Sequence, residues 1–355
     1  MPPDSAADSP PMLAPRFPAP RAPRRAAGPA YAALDLGTNN CRLLVAAPAP
    51  DGFRVLDSFS RIVRLGEGLH QTGALCEDAM ARALEALHAC AERLRRRPVR
   101  GLRAIATEAC RRARNGGDFL ARVRAETGLP IETIGTREEA ELALESCAPL
   151  LAGAGRRALL FDIGGGSTEL AWVRLGSGGP PELIGYASLP VGVVSLAERF
   201  GAAGFDADGF EAMVTDVRAR LSEFEAVHCI AHEVRLGGVR LLGTSGTVTT
   251  LAGVVLGLER YSRPRIDGTV LSREAAAAAL ATLRDLGREG LRQHPCVGPD
   301  RVDFVLPGCA IYAAIQRAWP APDVVVADRG LREGILLRMM RADRALRTAP
   351  RPGVP

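Results

Sequence analysis

One short pattern occurs twice in this chain, and its repetition constrains the fold more than any other feature. Both YAALDLGTNNCRLLVA (31–46) and ALLFDIGGGSTELAWV (158–173) place an aspartate after an apolar run, then a glycine, a polar turn and a second apolar run. The two aspartates, Asp35 and Asp162, are 127 residues apart, which is about one domain length. The repeat therefore predicts two duplicated domains that each begin with a β-hairpin.

Predicted strands and helices alternate along the rest of residues 31–340. Apolar residues at helical spacing predict a helix over 77–97. Further strands are predicted at 101–107, 131–135, 239–242 and 323–330, and further helices at 108–114, 137–151, 272–286 and 309–319. The alternation predicts an α/β protein with domain I at 31–140, domain II at 141–340 and a cleft between them. We expect the last helix of domain II to pack back on domain I.

The two ends of the chain differ in composition from its centre. Residues 1–30 are rich in Pro, Ala and Arg, which predicts a disordered tail rather than a secretory signal, with Met12 as an alternative start. Residues 341–355 form a second basic tail that we also expect to be disordered. The net charge of +5 divides into +2 for 1–30, +3 for 341–355 and zero for 31–340. A neutral centre disfavours a surface for duplex nucleic acid.

Residue types that are absent exclude several classes of protein. All 45 basic residues are arginine, so a P-loop NTPase and a Schiff-base enzyme, which need a lysine, are excluded. The eight cysteines form no C-x-x-C pair, which argues against a zinc site and a disulfide framework. We expect reduced thiols in a cytoplasmic protein. No apolar run of about 18 residues is present, so no membrane span is predicted.

The repeated turns have the composition of a phosphate-binding backbone. Small residues after a strand let backbone N–H groups converge on an anion. The predicted phosphate-binding residues are Gly37, Thr38, Asn39 and Asn40 in the first turn and Gly164, Gly165, Gly166, Ser167 and Thr168 in the second. Asp35 and Asp162 would repel phosphate unless Mg²⁺ bridges carboxylate and phosphate, so both are predicted metal ligands. The alternative for either pattern alone is a plain hairpin turn.

A third loop of small and hydroxyl residues follows the predicted strand at 239–242. Gly243, Ser245, Gly246 and Thr247 open a predicted helix, and backbone N–H groups at a helix N-terminus bind anions. The alternative is an ordinary N-cap made by Ser245 or Thr247.

The order of motifs along the chain resembles one enzyme family. DLGTNN, ATEACRRARN, TREEAEL, DIGGGSTEL, GTSGT, LPGCAIYAAI and DRGLREGIL occur as in the exopolyphosphatase/guanosine pentaphosphate phosphatase (Ppx/GppA) family. The resemblance covers roughly residues 31–340 and places the chain in the actin-like ATPase superfamily. It implies two ribonuclease H-like domains and a Mg²⁺-dependent hydrolase that acts on inorganic polyphosphate or on the nucleotide pppGpp. Relatives form homodimers, so the resemblance also implies a homodimer.

The resemblance assigns roles to two residues outside the turns. Glu139, beside Glu138 in the EEA segment, matches the family's catalytic base, which activates water. Arg111 matches a phosphate-contacting arginine that stabilises transition-state charge. Two other functions share the turns but not this pair, namely an actin-like ATP-binding scaffold and a sugar kinase.

Some positions depart from the family pattern or have no assigned role. Glu108 replaces a small polar residue, and Asp267 in RIDG replaces a frequent histidine. An acid at Glu108 would weaken polyanion binding if it pointed into the cleft. Arg64 and Glu67 resemble residues that line the family's cleft, and a structural role for them is equally open. The chain ends near 355 without the C-terminal extension of larger relatives, so we expect shorter polyphosphate chains. The five histidines have no metal-ligand spacing.

Overall fold

Two β-sheets, one from each half of the chain, form the framework of the protein. The computed structural model describes residues 29–50, 52–153, 155–176 and 179–348. The strands are β1 Tyr31–Leu36, β2 Asn40–Ala49, β3 Gly52–Ile62, β4 Gly101–Ala106, β5 Ile131–Thr133, β6 Arg157–Ile163, β7 Thr168–Arg174, β8 Glu182–Leu189, β9 Val239–Thr244, β10 Val270–Ser272 and β11 Asp323–Ala327.

Helices connect the strands and cover both sheets. They are α1 Leu69–Thr72, α2 Glu77–Arg96, α3 Glu108–Arg112, α4 Gly116–Thr127, α5 Thr136–Cys147, α6 Val193–Phe200, α7 Ala207–His228, α8 Ile230–Arg235, α9 Gly246–Val255, α10 Arg263–Ile266, α11 Arg273–Asp285, α12 Gly287–Gln293, α13 Val302–Ala318 and α14 Leu331–Thr348. Short 3₁₀ turns lie at Ala148–Leu151, Gly201–Phe205 and Pro299–Arg301. Among the described residues, no helix combines the length and apolarity needed to cross a membrane.

The two sheets have the same topology. The first has the order β3-β2-β1-β4-β5, and the second has β8-β7-β6-β9-β11 with β10 added at its edge. In each sheet the first three strands are antiparallel neighbours, and the next strand runs parallel to the first. The predicted α/β fold of two duplicated ribonuclease H-like domains is therefore confirmed.

The repeated hairpins also share their register and their turn. Asp35 lies opposite Arg42 across β1 and β2, and Asp162 lies opposite Glu169 across β6 and β7. Gly37 N donates to Asn40 O at 2.9 Å, and the N–H of Gly164 makes the equivalent bond in the second turn. Directly opposite residues lie on the same face of an antiparallel pair. Each aspartate therefore has a charged neighbour at the mouth of its hairpin.

Apolar patterns in the sequence predicted buried helices and strands correctly but did not predict the edge strands. The helix predicted at 77–97 is α2, and the strand predicted at 101–107 is β4. The third strand of each domain, β3 or β8, was not predicted. Both are edge strands of mostly intermediate or exposed residues, so their alternation of apolar and polar residues is weak.

Helices α5 and α14 cross between the two sheets. A Cβ on Gly334 would lie 2.1 Å from Leu142 O, so only glycine permits this approach. Leu142 and Leu336 pack with Ala33 and Leu44 of the first sheet. The opposite face of α5, including Leu144, packs against the second sheet. Through these contacts α5 is held by both halves of the molecule.

The predicted C-terminal tail begins later than residue 341. Helix α14 continues to Thr348, and Asp343 accepts hydrogen bonds from Tyr31 Oη at 2.7 Å and Arg100 Nε at 2.8 Å. These partners anchor the last turns, whereas composition alone indicated disorder. Residues 349–355, and 1–28 of the predicted N-terminal tail, lie outside the described residues.

Candidate active site

A cleft of about 670 Å³ lies where the strand ends of the two sheets meet. Loops after β1, β6, β9 and β11 and the first turn of α5 line it. The predicted site residues that it brings together are Asp35, Gly37, Thr38, Asn39, Asn40, Glu139, Asp162, Gly164, Gly165, Ser167, Ser245, Gly246 and Thr247. The predicted residues that do not line it are Arg111, Gly166, Thr168 and Gly243.

Two of the predicted phosphate contacts point away from the cleft. Thr168 is fully buried, and its hydroxyl donates to Val191 O at 2.7 Å. Gly243 lies under the ring of Phe161, where a Cβ would be 2.6 Å from the nearest ring carbon. Both residues therefore have packing roles that alternation along a strand explains, and their predicted contacts with phosphate stay predictions.

The two repeated turns touch one another. A Cβ on Gly166 would lie 2.8 Å from Thr38 Oγ1, and one on Gly165 would lie 3.0 Å from Asn39 Cβ. Behind the second turn, the N–H groups of α6 hold Gly164 O and Gly165 O at 3.0 and 2.8 Å. The glycine run is thus required for contact between the domains as well as for access by a ligand.

Four carboxylates of the cleft are removed from water. Asp35, Glu139, Asp162 and Glu169 all line it, and burial is the largest cause of a raised pKa in each. The pKa of Asp162 rises to about 6, and the nearby Asp35 charge adds to the shift. Asp35 Oδ1 is buried without a hydrogen-bond partner among the described residues. Such a group of acids favours a bound proton or a cation.

Glu139 lies in the first turn of α5, and only 6% of its surface is exposed. Burial raises its pKa to about 7, Arg111 opposes the shift, and the Asp35 and Asp162 charges add to it. A carboxylate with a pKa near neutral pH is well matched to accept a proton from water. Its position at the cleft and its pKa together make it the candidate general base.

Arg111 is engaged by protein groups. Its Nη1 donates to Ile134 O at 2.9 Å and to Glu139 Oε2 at 3.1 Å. Its Nη2 donates to Glu108 Oε2 at 2.6 Å. Its predicted contact with phosphate stays a prediction, whereas the contact with Glu139 is part of the observed arrangement.

The third loop is strained at Ser245. Its φ of 102° and ψ of 174° lie in a region that glycine alone adopts readily, at a cost of about 1–3 kcal/mol. Its hydroxyl oxygen is buried without a partner among the described residues, although the residue lines the cleft. Residues 246–255 form α9 directly after it, so the backbone N–H groups of the first turn face the same space.

The sequence did not predict eight charged residues of the cleft, which include Arg42, Glu169 and Arg332. Arg42 and Glu169 each lie opposite a predicted metal-binding aspartate, and Arg332 is the second residue of α14. The hairpin repeat could have revealed the first two, because each follows its aspartate by seven residues. Arg42 and Arg332 make no side-chain hydrogen bond or ion pair with any other described residue, so both can bind an anion.

Glu108 and Asp267, which depart from the family pattern, each form an ion pair with an arginine of this chain. Glu108 does not line the main cleft and instead pairs with Arg111. Asp267 accepts from Arg329 Nε and Nη2 at 2.9 and 2.7 Å, so a charged pair stands where relatives often have histidine. Arg64 stacks on Phe304 at 5.6 Å, and Glu67 pairs with Arg82 away from the cleft.

The donor set of the cleft suits Mg²⁺ rather than a metal held by protein alone. No group of three His, Cys, Asp or Glu among the described residues is arranged to hold a metal. Mg²⁺ usually binds through one or two carboxylates and completes its shell with water and phosphate oxygens. Asp35, with its unpartnered oxygen, and Asp162 fit that mode.

A duplicated ribonuclease H-like fold with paired glycine turns and a buried acid defines a class of phosphate-handling proteins. The chain belongs to the Ppx/GppA phosphatase family, whose model matches residues 44–343. It is similar to the Aquifex aeolicus family member, with 26% identity, a TM-score of 0.72, and 89% of this chain and 98% of that chain covered. An exopolyphosphatase-like protein is 29% identical with a TM-score of 0.79 over 89% and 98%. An exopolyphosphatase from Cytophaga hutchinsonii, 24% identical with a TM-score of 0.78 over 88% and 98%, shows the fold alone.

Gly192→Ala should disrupt the second phosphate turn from behind. The added Cβ would lie 2.5 Å from the backbone of Gly165, which cannot yield without moving the turn. We expect phosphatase activity to fall at least about tenfold and stability to fall by about 1–3 kcal/mol. Gly117→Ala is the matched control, because nothing lies within 4 Å of its added Cβ. Unchanged turnover and melting temperature in Gly192→Ala would contradict this account of the turn.

Proposed function

We propose that the protein is an exopolyphosphatase that hydrolyses the terminal phosphoanhydride bond of inorganic polyphosphate. The observation that carries this proposal is Glu139, a buried carboxylate that faces the same cleft as both phosphate turns. Membership of the Ppx/GppA phosphatase family supports the reaction class. Water attacks the terminal phosphorus in line with the leaving oxygen, and Glu139 accepts its proton.

The turns and two free arginines supply the substrate contacts. Backbone N–H groups of residues 38–40, 165–167 and 245–247 hold phosphate oxygens, whereas those of Gly37 and Gly164 close their own turns. Arg42 and Arg332 both line the cleft and add guanidinium groups, which suit a chain of repeated anions. Ser245 places an unpartnered hydroxyl against the same space. Together these groups fix the terminal phosphate in front of Glu139.

A divalent cation is part of the proposal because the protein alone does not attract a polyanion here. The charged side chains that line the cleft are Asp35, Arg42, Glu139, Asp162, Glu169, Arg263, Arg301, Asp328, Arg329, Arg332 and Glu333. Five are basic and six are acidic, so the fully ionised cleft carries −1. Asp35 and Asp162 would hold Mg²⁺, mostly through water, with Glu169 beside them. The ion supplies positive charge that offsets the carboxylates and neutralises phosphate oxygens.

The nucleotide pppGpp is the second candidate substrate, and one feature of the cleft favours it. Tyr261, 64% exposed, and Phe304 both line the cleft, and aromatic rings of this kind can stack on a base. The chemistry at the terminal phosphate is the same for both substrates. An ATP-binding scaffold and a sugar kinase are the remaining alternatives, and neither needs Glu139 as a base for water.

Orthophosphate release from polyphosphate, pppGpp and ATP, measured in parallel, tests the substrate and the metal together. We expect release from polyphosphate with Mg²⁺, loss of activity in EDTA and recovery when Mg²⁺ is restored. Release from pppGpp alone would favour the second candidate, and phosphate transferred to a sugar would favour a kinase. Activity that survives EDTA would refute the role of Asp35 and Asp162.

Glu139→Gln should remove the base while keeping the size of the side chain. We expect phosphate release to fall at least about 10²-fold, with substrate binding retained. Glu138→Gln is the matched control, because Glu138 pairs with Arg103 at 2.8 Å and does not line the cleft. An unchanged rate of phosphate release in Glu139→Gln would show that Glu139 is not the base.

The pH dependence of kcat/KM should report the raised pKa of Glu139. A base works only when ionised, and its pKa of about 7 leaves it mostly protonated at pH 6 and mostly ionised at pH 8. We therefore expect kcat/KM to rise between pH 6 and pH 8 and to level off above that range. A profile that stays flat down to pH 5 would mean that Glu139 titrates as an ordinary glutamate or is not the base.

A further inference from the structure

Glu108 is a buried acid that the proposed reaction does not use. It is the first residue of α3, and only 8% of its surface is exposed. Its carboxylate accepts from Arg111 Nη2 at 2.6 Å, and Arg112 Nη1 lies 3.6 Å away. An unpaired buried carboxylate is costly, so these partners determine where the side chain lies. Glu108 therefore acts on Arg111 and not on the contents of the main cleft.

Arg111 connects this acid to the proposed base. One edge of its guanidinium binds Glu108, and Nη1 binds both Ile134 O and Glu139 Oε2. A guanidinium is planar and rigid. Its hydrogen bonds to Glu108 and to Ile134 O therefore fix the direction in which Nη1 points at Glu139. Ile134 precedes the helix that carries Glu139 by two residues, so Arg111 also joins that helix to α3. Only 20% of the Arg111 side chain is exposed, so most of it is shielded from water.

We propose that Glu108 is a positioning residue that holds the Arg111 guanidinium against Glu139 and so aims the base at the attacking water. The proposal rests on the proposed function, because it assigns Glu139 the role of base. Without the Glu108 carboxylate, Nη2 loses a charged partner, and the guanidinium turns away from the Glu139–Ile134 edge. Glu139 then keeps its chemistry but loses its fixed direction.

The contact between Glu108 and Arg111 differs from the more exposed contact between Glu108 and Arg112. The Arg112 side chain is 39% exposed and contacts the same carboxylate only at 3.6 Å. Exposed ion pairs contribute little to stability and hold a side chain only weakly in one direction. Arg111, in contrast, makes three hydrogen bonds to buried or backbone groups. A variant at Arg112 therefore removes a neighbouring charge without disturbing the contact that positions Glu139.

Glu108→Gln tests the proposal, with Arg112→Gln as the matched control. For orthophosphate release from polyphosphate with Mg²⁺, we expect kcat to fall about 10- to 100-fold and KM to change less than about threefold. Arg111→Lys keeps the positive charge but loses the planar pair of N–H donors. We expect the same fall in kcat with little change in KM. In the Glu139→Gln background, Glu108→Gln should add little further loss, because both changes act through one group. A raised KM with unchanged kcat, or two independent losses that multiply, would overturn the proposal.

A crystal structure of Glu108→Gln gives a readout that does not depend on activity. We expect the distance between Arg111 Nη1 and Glu139 Oε2 to lengthen from 3.1 Å to beyond direct contact. Retention of the contact would overturn the positioning role even if turnover falls. A wild-type enzyme inactive on every phosphoanhydride would instead count against the proposed function, and this distance would still decide whether Glu108 positions Arg111.

Discussion

The mutual repulsion of buried carboxylates in one cleft is the constraint on which the rest of the site depends. Asp35, Glu139, Asp162 and Glu169 come from both domains, and burial opposes the ionised form of each. Carboxylates crowded in this way are stabilised by a proton, a nearby cation, a bound metal or hydrogen bonds, such as those that the Ser167 and Ser188 hydroxyls donate to Glu169. The protein supplies part of this compensation through Arg42 and Arg111. The remaining negative charge favours a bound proton or cation in the cleft.

Duplication of one hairpin explains both the likeness and the difference between the two walls of the cleft. Each hairpin places an aspartate at the end of its first strand and a charged residue opposite it. In the first domain that residue is Arg42, and in the second it is Glu169. One wall therefore carries a cation where the other carries an acid. The two walls therefore differ in charge although they share one backbone pattern.

The sequence was sufficient for features that depend on local pattern. The hairpins, their aspartates and helix α2 follow from apolar periodicity and turn composition. Arg42 and Glu169 were not predicted, although each follows its aspartate by seven residues, because the strand register that places them opposite the aspartates was not worked out from the repeat. Thr168 and Gly243 were assigned to phosphate because a glycine-rich motif does not show which side of a strand faces the ligand. Residues 341–348 were assigned to a tail because the partners of Asp343 lie far away in the sequence.

The base and the phosphate turns are positioned by separate sets of contacts. Glu139 lies on α5, which packs on both sheets and crosses α14 at Gly334. The turns instead meet directly, at Gly165 and Asn39, and α6 supports the second turn from behind. Because α5 packs on both sheets and the turns meet across the cleft, relative movement of the domains would disturb both sets of contacts. Glu139 and the turns therefore keep their relative position only while both sets of contacts hold.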